Sequence, residues 1–356
     1  MNAFRPSPLF ILAGLTVAGA LPCSALTVDQ ALAQYDSLLG NYNAIVFGNA
    51  ALKSGYGDTE GGLVVGGNLY VEGGALNTHA NTPGLALYVG GQLINNGTEL
   101  MLNSGYASLP NTSGTWDPAT GHLTKGGKVV LSTINSSDPH KFIDPRSPAL
   151  NPGFDMAAIK SEFSSLSATF DGLANNGSVS VIGQTLTFQA SNPTTHGAIV
   201  FDFDASKLSG STYKGTYFSG ISINIANGDN YIINVLNANG KTLFGTGVNY
   251  NPGTNSDQLL WNFVGGGNVT LSNGGGFFGS VLAPKMSVSN GNNTYIQGQL
   301  VADQFSLAGA ELHFTGFEEP YPTPEPSTYG LIGAGALFGL ASWRRWSKRR
   351  STARQA

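Results

Sequence analysis

Two carboxylates, Asp202 and Asp204, are the clearest candidates for chemistry in this sequence. They alternate with Phe201 and Phe203, so on a β-strand both carboxylates project from one face and both rings from the other. Such a pair could bind Ca²⁺ or act as a general acid and base. No dense Asp/Asn/Gly loop surrounds the pair to supply the six to eight oxygens that Ca²⁺ takes. A solvated strand face is the favoured interpretation, and cation binding stays open.

The sequence shows no other signature of catalysis or metal binding. No serine lies at Gly-x-Ser-x-Gly spacing, and Gly240-Lys241-Thr242 lacks the glycine five positions earlier that a phosphate-binding loop requires. Asp58 and Glu60 suit a cap or turn. The five histidines show no metal-ligand spacing; they are His79, His122, His140, His196 and His313. The sequence predicts a protein that is not an enzyme and that holds no metal or cofactor.

Composition indicates the elements that carry these residues. Of 356 residues 49 are glycine, 41% are apolar and only 11% are charged, which favours an all-β protein with many tight turns. Seven of the 17 basic residues lie in the two ends of the chain, which leaves ten against the 21 carboxylates between Asp29 and Glu325. An acidic body lacks the basic surface that nucleic acid requires. We predict no nucleic-acid partner.

The N-terminus has the form of a secretory signal. Arg5 precedes an apolar run over residues 9–21, and small residues follow. We predict a signal peptide over residues 1–25, cleaved between Ala25 and Leu26.

The C-terminus carries a second candidate targeting signal. Pro324-Glu325-Pro326 precedes an apolar segment over residues 329–343, and a basic cluster follows that would stay cytoplasmic. The basic residues are Arg344, Arg345, Lys348, Arg349 and Arg350. A segment of about 15 residues is short for the roughly 20 that span a membrane, so a transient attachment competes with a permanent anchor.

These three parts in this order resemble the PEP-CTERM sorting signal of Gram-negative bacteria. The resemblance implies recognition and cleavage near Pro324 to Pro326 by an exosortase-type enzyme, in species that make exopolysaccharide. The tail would then occupy residues 321–356 and attach only transiently to the inner membrane. The mature protein is expected on the outer surface or in the extracellular matrix.

Internal repeats predict the fold of the body, residues 26–320. The segment 63–69 recurs at 87–93, a looser copy covers 123–129, and 279–288 aligns with 298–307. Spacings near 20 residues suit the coils of an irregular β-helix or β-solenoid, with glycine and asparagine at corners for left-handed backbone angles.

Two helices interrupt the β pattern. Residues 28–39 place apolar side chains on one face, with Asp29 in the first turn. In residues 154–170 the apolar side chains also follow helical spacing; they are Ile159, Phe163, Leu166 and Phe170. We expect the second helix on the flank of the solenoid, or, alternatively, as a connector between two β domains.

Several stretches together resemble the choice-of-anchor A domain, an adhesive module of bacterial surface proteins. They are residues 42–48, 58–69, 261–263, 279–284 and 298–302. The resemblance implies a β-helical fold similar to ice-binding-like adhesins. We expect an exported adhesin or structural protein that contacts exopolysaccharide or biofilm matrix. The alternatives are an ice-binding-like protein and a polysaccharide-degrading β-helix enzyme; segments 211–213 and 292–295 are candidate sugar contacts.

Overall fold

Short parallel strands stack coil upon coil in the computed structural model, which confirms the predicted mostly-β solenoid. The structure describes residues 26–53, 55, 57–133, 137–190, 197–223, 229–244, 249–251, 256–272, 275–291 and 293–317. The signal peptide and the sorting tail lie outside this range.

The N-terminal half contains helix α1 and thirteen strands. Its elements are α1 (Val28–Leu39), β1 (Tyr42–Val46), β2 (Ala50–Leu52), β3 (Asp58–Thr59), β4 (Gly62–Val65), β5 (Leu69–Val71), β6 (Gly74–Leu76), β7 (Leu85–Val89), β8 (Leu93–Asn95), β9 (Leu100–Leu102), β10 (Tyr106–Ser108), β11 (Thr115–Asp117), β12 (His122–Lys125) and β13 (Lys128–Ser132).

The C-terminal half follows helix α2. Its elements are α2 (Met156–Asp171), β14 (Gly177–Ile182), β15 (Thr185–Ala190), β16 (Gly197–Asp204), β17 (Leu208–Ser209), β18 (Thr212–Tyr213), β19 (Thr216–Tyr217), β20 (Gly220–Ile223), β21 (Asp229–Leu236), β22 (Lys241–Leu243), β23 (Asn249–Asn251), β24 (Leu259–Phe263), β25 (Gly267–Leu271), β26 (Gly276–Phe278), β27 (Ser280–Asn290), β28 (Tyr295–Gln297), β29 (Leu300–Leu307) and β30 (Leu312–His313).

The strands form three walls around one apolar core. The first wall runs in the order β10-β7-β4-β1-β29-β27-β24-β21-β16. The second runs β8-β5-β2-β29-β27-β25-β22, because the long strands β27 and β29 continue around a corner. The third runs β11-β12-β13-β9-β6-β3-β30-β28-β26 and is accompanied by a four-stranded sheet, β14-β15-β20-β23.

The two halves of the solenoid meet through the last strands of the body. β29 pairs with β1 and β2 on one side and with β27 on the other, and β30 lies between β3 and β28. We call β29 and β30 the closing strands. They place the C-terminal end of the body in the middle of the solenoid.

The first wall is buried on both faces, because both helices cover its outer side. Strand Leu85–Val89 consequently reads as an unbroken apolar run in which every residue is buried. Helix α1 has the predicted bounds and begins with a capping box between Thr27 and Gln30. Helix α2 begins two residues later than predicted, after the N-cap Asp155, and lies on the wall as expected for a flanking helix.

A ladder of polar side chains fixes α2 to the wall. Asn262 donates from Nδ2 to the Ser167 carbonyl (2.9 Å) and to Asn234 Oδ1 (2.9 Å). Asn234 donates in turn to the Phe170 carbonyl at 3.0 Å. Both amides are fully buried, and a buried amide is tolerated where its hydrogen bonds are made.

The register confirms two of the repeats and corrects the third. Leu63 pairs with Leu87 and Leu69 with Leu93, the predicted shift of 24 residues. The looser copy at 123–129 is wrong as a coil, since β12 and β13 form an antiparallel hairpin. Gly126 and Gly127 sit at its turn with φ of 58° and 75°, as a type I′ turn requires.

The C-terminal repeat holds only as far as the corner. Val281 pairs with Leu300 and Ala283 with Ala302, a shift of 19, but Val288 pairs with Phe305, a shift of 17. Two extra residues around Pro284 and Lys285 take up the difference, so the sequence alignment of the second half is two residues out of register.

Close approach of the coils explains the Gly-Gly corners. A Cβ on Gly66 would lie 2.3 Å from the Phe47 carbonyl oxygen, and one on Gly90 would lie 2.6 Å from the Gly66 oxygen. Neither glycine has a left-handed φ. The predicted reason for these glycines, a left-handed backbone angle, is therefore wrong at this repeat.

Candidate binding face

The outer surface of the second wall is the candidate functional site, and we call it the flat face. It is formed by the outward side chains of β22, β25, β2, β5 and β8 and of the second halves of β27 and β29. Strand β5 illustrates the pattern: Leu69 and Val71 are buried in the core while Tyr70 points outward. Alternation of this kind marks a sheet with one solvated face.

The first row of the flat face begins with hydroxyl groups. Register places its members side by side across seven strands: Thr242, Thr270, Ser289, Ser306, Ala51, Tyr70 and Ile94. Thr270 Oγ1 and Ser289 Oγ are 3.1 Å apart. The row thus changes from hydroxyl to aromatic and apolar side chains at β2.

A second row carries amides and one hydroxyl. Its members are Asn268, Ser287, Gln304, Asn49, Asn68 and Gln92. On the β2 side the row is ordered by side-chain to backbone bonds, since Asn49 Oδ1 accepts from the Asn68 N–H and Asn68 Oδ1 accepts from the Gln92 N–H, both at 2.8 Å. The Asn and Gln of successive Gly-Asn and Gly-Gln corners therefore form a ladder.

The flat face is uncharged along both rows. Charged groups stand at its margins, as Lys53 and Glu72 on one side and as the Lys160–Asp303 ion pair (2.5 Å) at the corner near α2. Neighbouring strands lie about 4.8 Å apart. The face consequently presents neutral donors and acceptors at a regular spacing, which suits a hydroxylated polymer better than a phosphate or polyanion.

Asp202 and Asp204 lie on one strand face as predicted, away from the flat face. Phe201 and Phe203 are fully buried on the opposite side. Hydrogen bonds from Ser206 and then Asn237 hold the pKa of Asp204 below its usual value, whereas a general acid needs a raised pKa. In the part of the chain that the structure describes, no group of three or more His, Cys, Asp and Glu side chains could hold a metal ion.

Asp58 and Glu60 join neighbouring coils. Asp58 accepts from Thr78 Oγ1 at 2.7 Å, and Glu60 accepts from the Phe314 N–H at 2.7 Å. Glu60 also lies 3.3 Å from His79. These contacts link Glu60 to the next coil and to the end of the closing strands, and the predicted cap or turn role stays a prediction.

The predicted sugar contacts do not belong to the flat face. Tyr213 is buried and stacked on Phe203 with centroids 5.2 Å apart. Tyr295 is half-buried on the third wall and stacked on His313 at 4.7 Å. Tyr70, which the sequence reasoning missed, is the exposed tyrosine of the flat face, and its signal was the alternation Leu69-Tyr70-Val71.

The residues of the two predicted targeting signals lie at or beyond the limits of the described chain. Leu26 is exposed at its beginning. Ala25, Pro324 to Pro326 and the apolar segment 329–343 lie outside the described residues, as do Arg344, Arg345, Lys348, Arg349 and Arg350. Within residues 26–317, as far as they are described, no helix is long and apolar enough to cross a membrane.

The chain belongs to the family of the ice-binding-like adhesive domain, whose model matches residues 35–314. The PEP-CTERM protein-sorting motif matches residues 322–345. This motif marks an exported surface protein that is processed through an exosortase, while the domain gives the body its adhesive, ice-binding-like class. No curated protein matches the sequence.

Several solved ice-binding proteins cover most of the chain at low similarity. One from an Arctic yeast is 12% identical with a TM-score of 0.34 and covers 81% of this chain and 95% of its own. One from an Antarctic biological consortium is 11% identical, with a TM-score of 0.35 and coverages of 84% and 96%. The protein of Shewanella frigidimarina is 11% identical, with a TM-score of 0.32 and coverages of 79% and 96%. At such TM-scores these likenesses carry no argument about ligand.

Proposed function

We propose that the chain is a choice-of-anchor A type adhesin or structural protein of a Gram-negative surface or extracellular matrix, and that its flat face contacts exopolysaccharide. The sorting motif and the adhesive domain support the setting. An exosortase-type enzyme would cleave near Pro324 to Pro326, and the tail would attach only transiently to the inner membrane. The chain would need no cofactor and no nucleic acid for this task.

The observation that carries the proposal is the flat face itself. Two uncharged rows lie side by side on it: one crosses seven strands and carries serine or threonine hydroxyl groups on four of them, and the other carries five amides and one hydroxyl. A polysaccharide offers hydroxyl groups over a comparable length, and many weak hydrogen bonds in register give useful avidity to a repeating ligand. A neutral face also avoids the desolvation cost of charged groups.

Ser289→Arg tests the face, because a long charged side chain in the middle of the hydroxyl row would hold a polymer away. We expect binding to the organism's exopolysaccharide, measured by cosedimentation, to fall about tenfold, or roughly 1.4 kcal/mol. Ser222→Arg is the matched control: Ser222 is also half-buried and lies between two buried isoleucines, Ile221 and Ile223, but on another sheet.

The control should bind like the unaltered protein. An equal loss of exopolysaccharide binding in both variants would show that the flat face is not the contact surface. The whole proposal fails if the secreted protein binds neither exopolysaccharide nor the cell surface and deletion of the gene leaves biofilm and aggregation unchanged.

The intact mass of the protein recovered from the cell surface tests the sorting proposal. The mass should lack the residues before Leu26 and those after the cleaved bond near Pro324 to Pro326. Exchange of Pro324 and Pro326 for alanine should leave the tail attached and the protein in the membrane fraction. A mature protein that keeps residues 329–350 would contradict sorting.

Ice binding is the second candidate, favoured by one feature. Thr242, Thr270, Ser289 and Ser306 form a hydroxyl row that runs across the strands rather than along one strand. Thermal hysteresis that disappears in Ser289→Arg would support this reading, and no hysteresis or inhibition of ice recrystallisation would remove it.

We propose no catalytic role. A polysaccharide-degrading β-helix enzyme would place its acids in a substrate groove, whereas Asp204 caps the short helix Ala205–Lys207 and binds Asn237 at 3.0 Å. Turnover of the exopolysaccharide that Asp202→Asn abolishes would overturn this part.

A further inference from the structure

Tyr70 is an aromatic side chain that the fold holds against solvent on the flat face. It is 37% exposed, although Leu69 and Val71 on either side are exposed by only 0% and 1%. Because both neighbours are anchored in the core, the backbone of β5 is fixed and the ring must stand on the outer surface of the wall. An aromatic ring kept half in water is a feature of recognition surfaces.

The neighbours of Tyr70 leave its ring accessible. Register places Ala51 on β2 and Ile94 on β8 directly beside it. The methyl group of Ala51 cannot cover the ring, and the next side chain in the row is the short Ser306. Ala51, Tyr70 and Ile94 thus form an open surface rather than a pocket, and we call it the shelf.

Oriented amides border this shelf. Asn49 Oδ1 and Asn68 Oδ1 each accept a backbone N–H of the following coil at 2.8 Å. With its oxygen held in this way, each amide group has its orientation fixed, and Asn68 Nδ2 lies 3.4 Å from the Tyr70 hydroxyl. Donors that are already ordered lose little conformational freedom on binding.

An aromatic platform beside ordered amides is matched by a sugar ring, whose C–H face is apolar and whose rim carries hydroxyls. Lys53 and Glu72 lie two residues further along the chain from Ala51 and Tyr70, whereas the side chains of the shelf itself are uncharged. We propose that Tyr70, Asn49 and Asn68 form a subsite for a neutral hexose unit of a polysaccharide, with the sugar stacked on the Tyr70 ring. This inference rests on the proposed function and names the class of sugar unit that the flat face binds.

The test uses the secreted protein and two soluble probes, a neutral β-glucan and the anionic polygalacturonate, in affinity electrophoresis. Tyr70→Ala should weaken retardation by the β-glucan about tenfold, and Tyr70→Phe, which keeps the ring, should stay within about threefold. Tyr217→Ala is the control, since Tyr217 is 55% exposed on β19, outside the flat face. Polygalacturonate should retard no variant.

Tyr70→Thr, a good strand former, repeats the test should the alanine variant unfold, and thermal unfolding checks each variant. Unchanged retardation in a folded Tyr70→Ala or Tyr70→Thr protein overturns the subsite, even while the unaltered protein binds exopolysaccharide. Retardation by polygalacturonate alone overturns the neutral class. No retardation of the unaltered protein by either probe, together with an unchanged biofilm phenotype on gene deletion, is the separate result that defeats the proposed function.

Discussion

Trp261→Ala should destabilise the body by about 3–5 kcal/mol, the usual cost of removing a large aromatic side chain from a core. Trp261 is fully buried on β24, and the rings of Phe188, Phe244 and Phe277 surround it with centroids 5.9, 5.7 and 5.2 Å away. Its Nε1 also donates to the Phe278 carbonyl at 2.9 Å. The variant would therefore leave a cavity and take a donor from a partly buried carbonyl.

Urea denaturation of residues 26–320, followed by far-UV circular dichroism, measures this loss without depending on the fluorescence of the missing indole. Trp116→Ala is the matched control, because Trp116 is only half-buried on β11 and its Nε1 donates to the Phe142 carbonyl at 3.3 Å. We expect its cost to be about 1 kcal/mol. A Trp261 variant no less stable than the Trp116 variant would show that the aromatic cluster does not hold the core.

Local patterns predicted the elements of the solenoid well. The amphipathic segment with Asp29 in its first turn gave α1 its bounds, and the 24-residue repeat gave the pairing of β4 with β7. Such features depend on side chains close together in sequence or on copies that stack directly, so the sequence contains them.

The backbone conformation at the corners and the close contacts between coils were harder to predict from the sequence. The hairpin of β12 and β13 shares the Gly-Gly signature of the corners at Gly66 and Gly90, although its glycines adopt left-handed angles and those two do not. Periodicity cannot separate these two uses of glycine, because one serves a turn and the other the approach of a neighbouring coil.

The candidate site was the part that sequence reasoning located least well. Tyr213 and Tyr295 were chosen for their polar surroundings, yet the first is buried and the second is stacked on the third wall. The flat face is assembled from residues between Asn49 and Ser306 by register across seven strands. Only the three-dimensional pairing shows that Tyr70, Ala51 and Ser306 are neighbours.

Removal of residues 299–320 should abolish the cooperative fold of the body, because the two half-solenoids pair with each other through the closing strands in the described part of the chain. The deletion removes a set of fully or almost fully buried apolar side chains: Leu300, Val301, Phe305, Leu307, Leu312 and Phe317. Burial of each contributes about 1.5–3 kcal/mol, so the combined loss is on the order of ten kcal/mol and equals the whole stability of a typical domain, about 5–15 kcal/mol.

Buried polar contacts across the seam would be lost as well. Gln299 donates to the carbonyls of Gly40 and Tyr42, both at 2.9 Å, and Asn43 donates to the His313 carbonyl at 3.3 Å. Without the closing strands, the edges of β1 and β27 would expose unpaired backbone groups to other chains, which favours aggregation. The truncated protein is expected to show no single thermal transition and to aggregate, whereas residues 26–320 unfold in one step.

Complementation distinguishes a missing strand from a general loss of core. A synthetic peptide of residues 299–320 should restore a cooperative transition to the truncated body, because an extended peptide can add to two open strand edges at once. The same peptide carrying Val301→Asp should fail, since Val301 is fully buried between Ile45 and Leu282 under the helices and an unpaired charge there is costly. A truncated body that unfolds cooperatively without any peptide would mean that each half-solenoid is stable alone and that the closing strands only bring the two together.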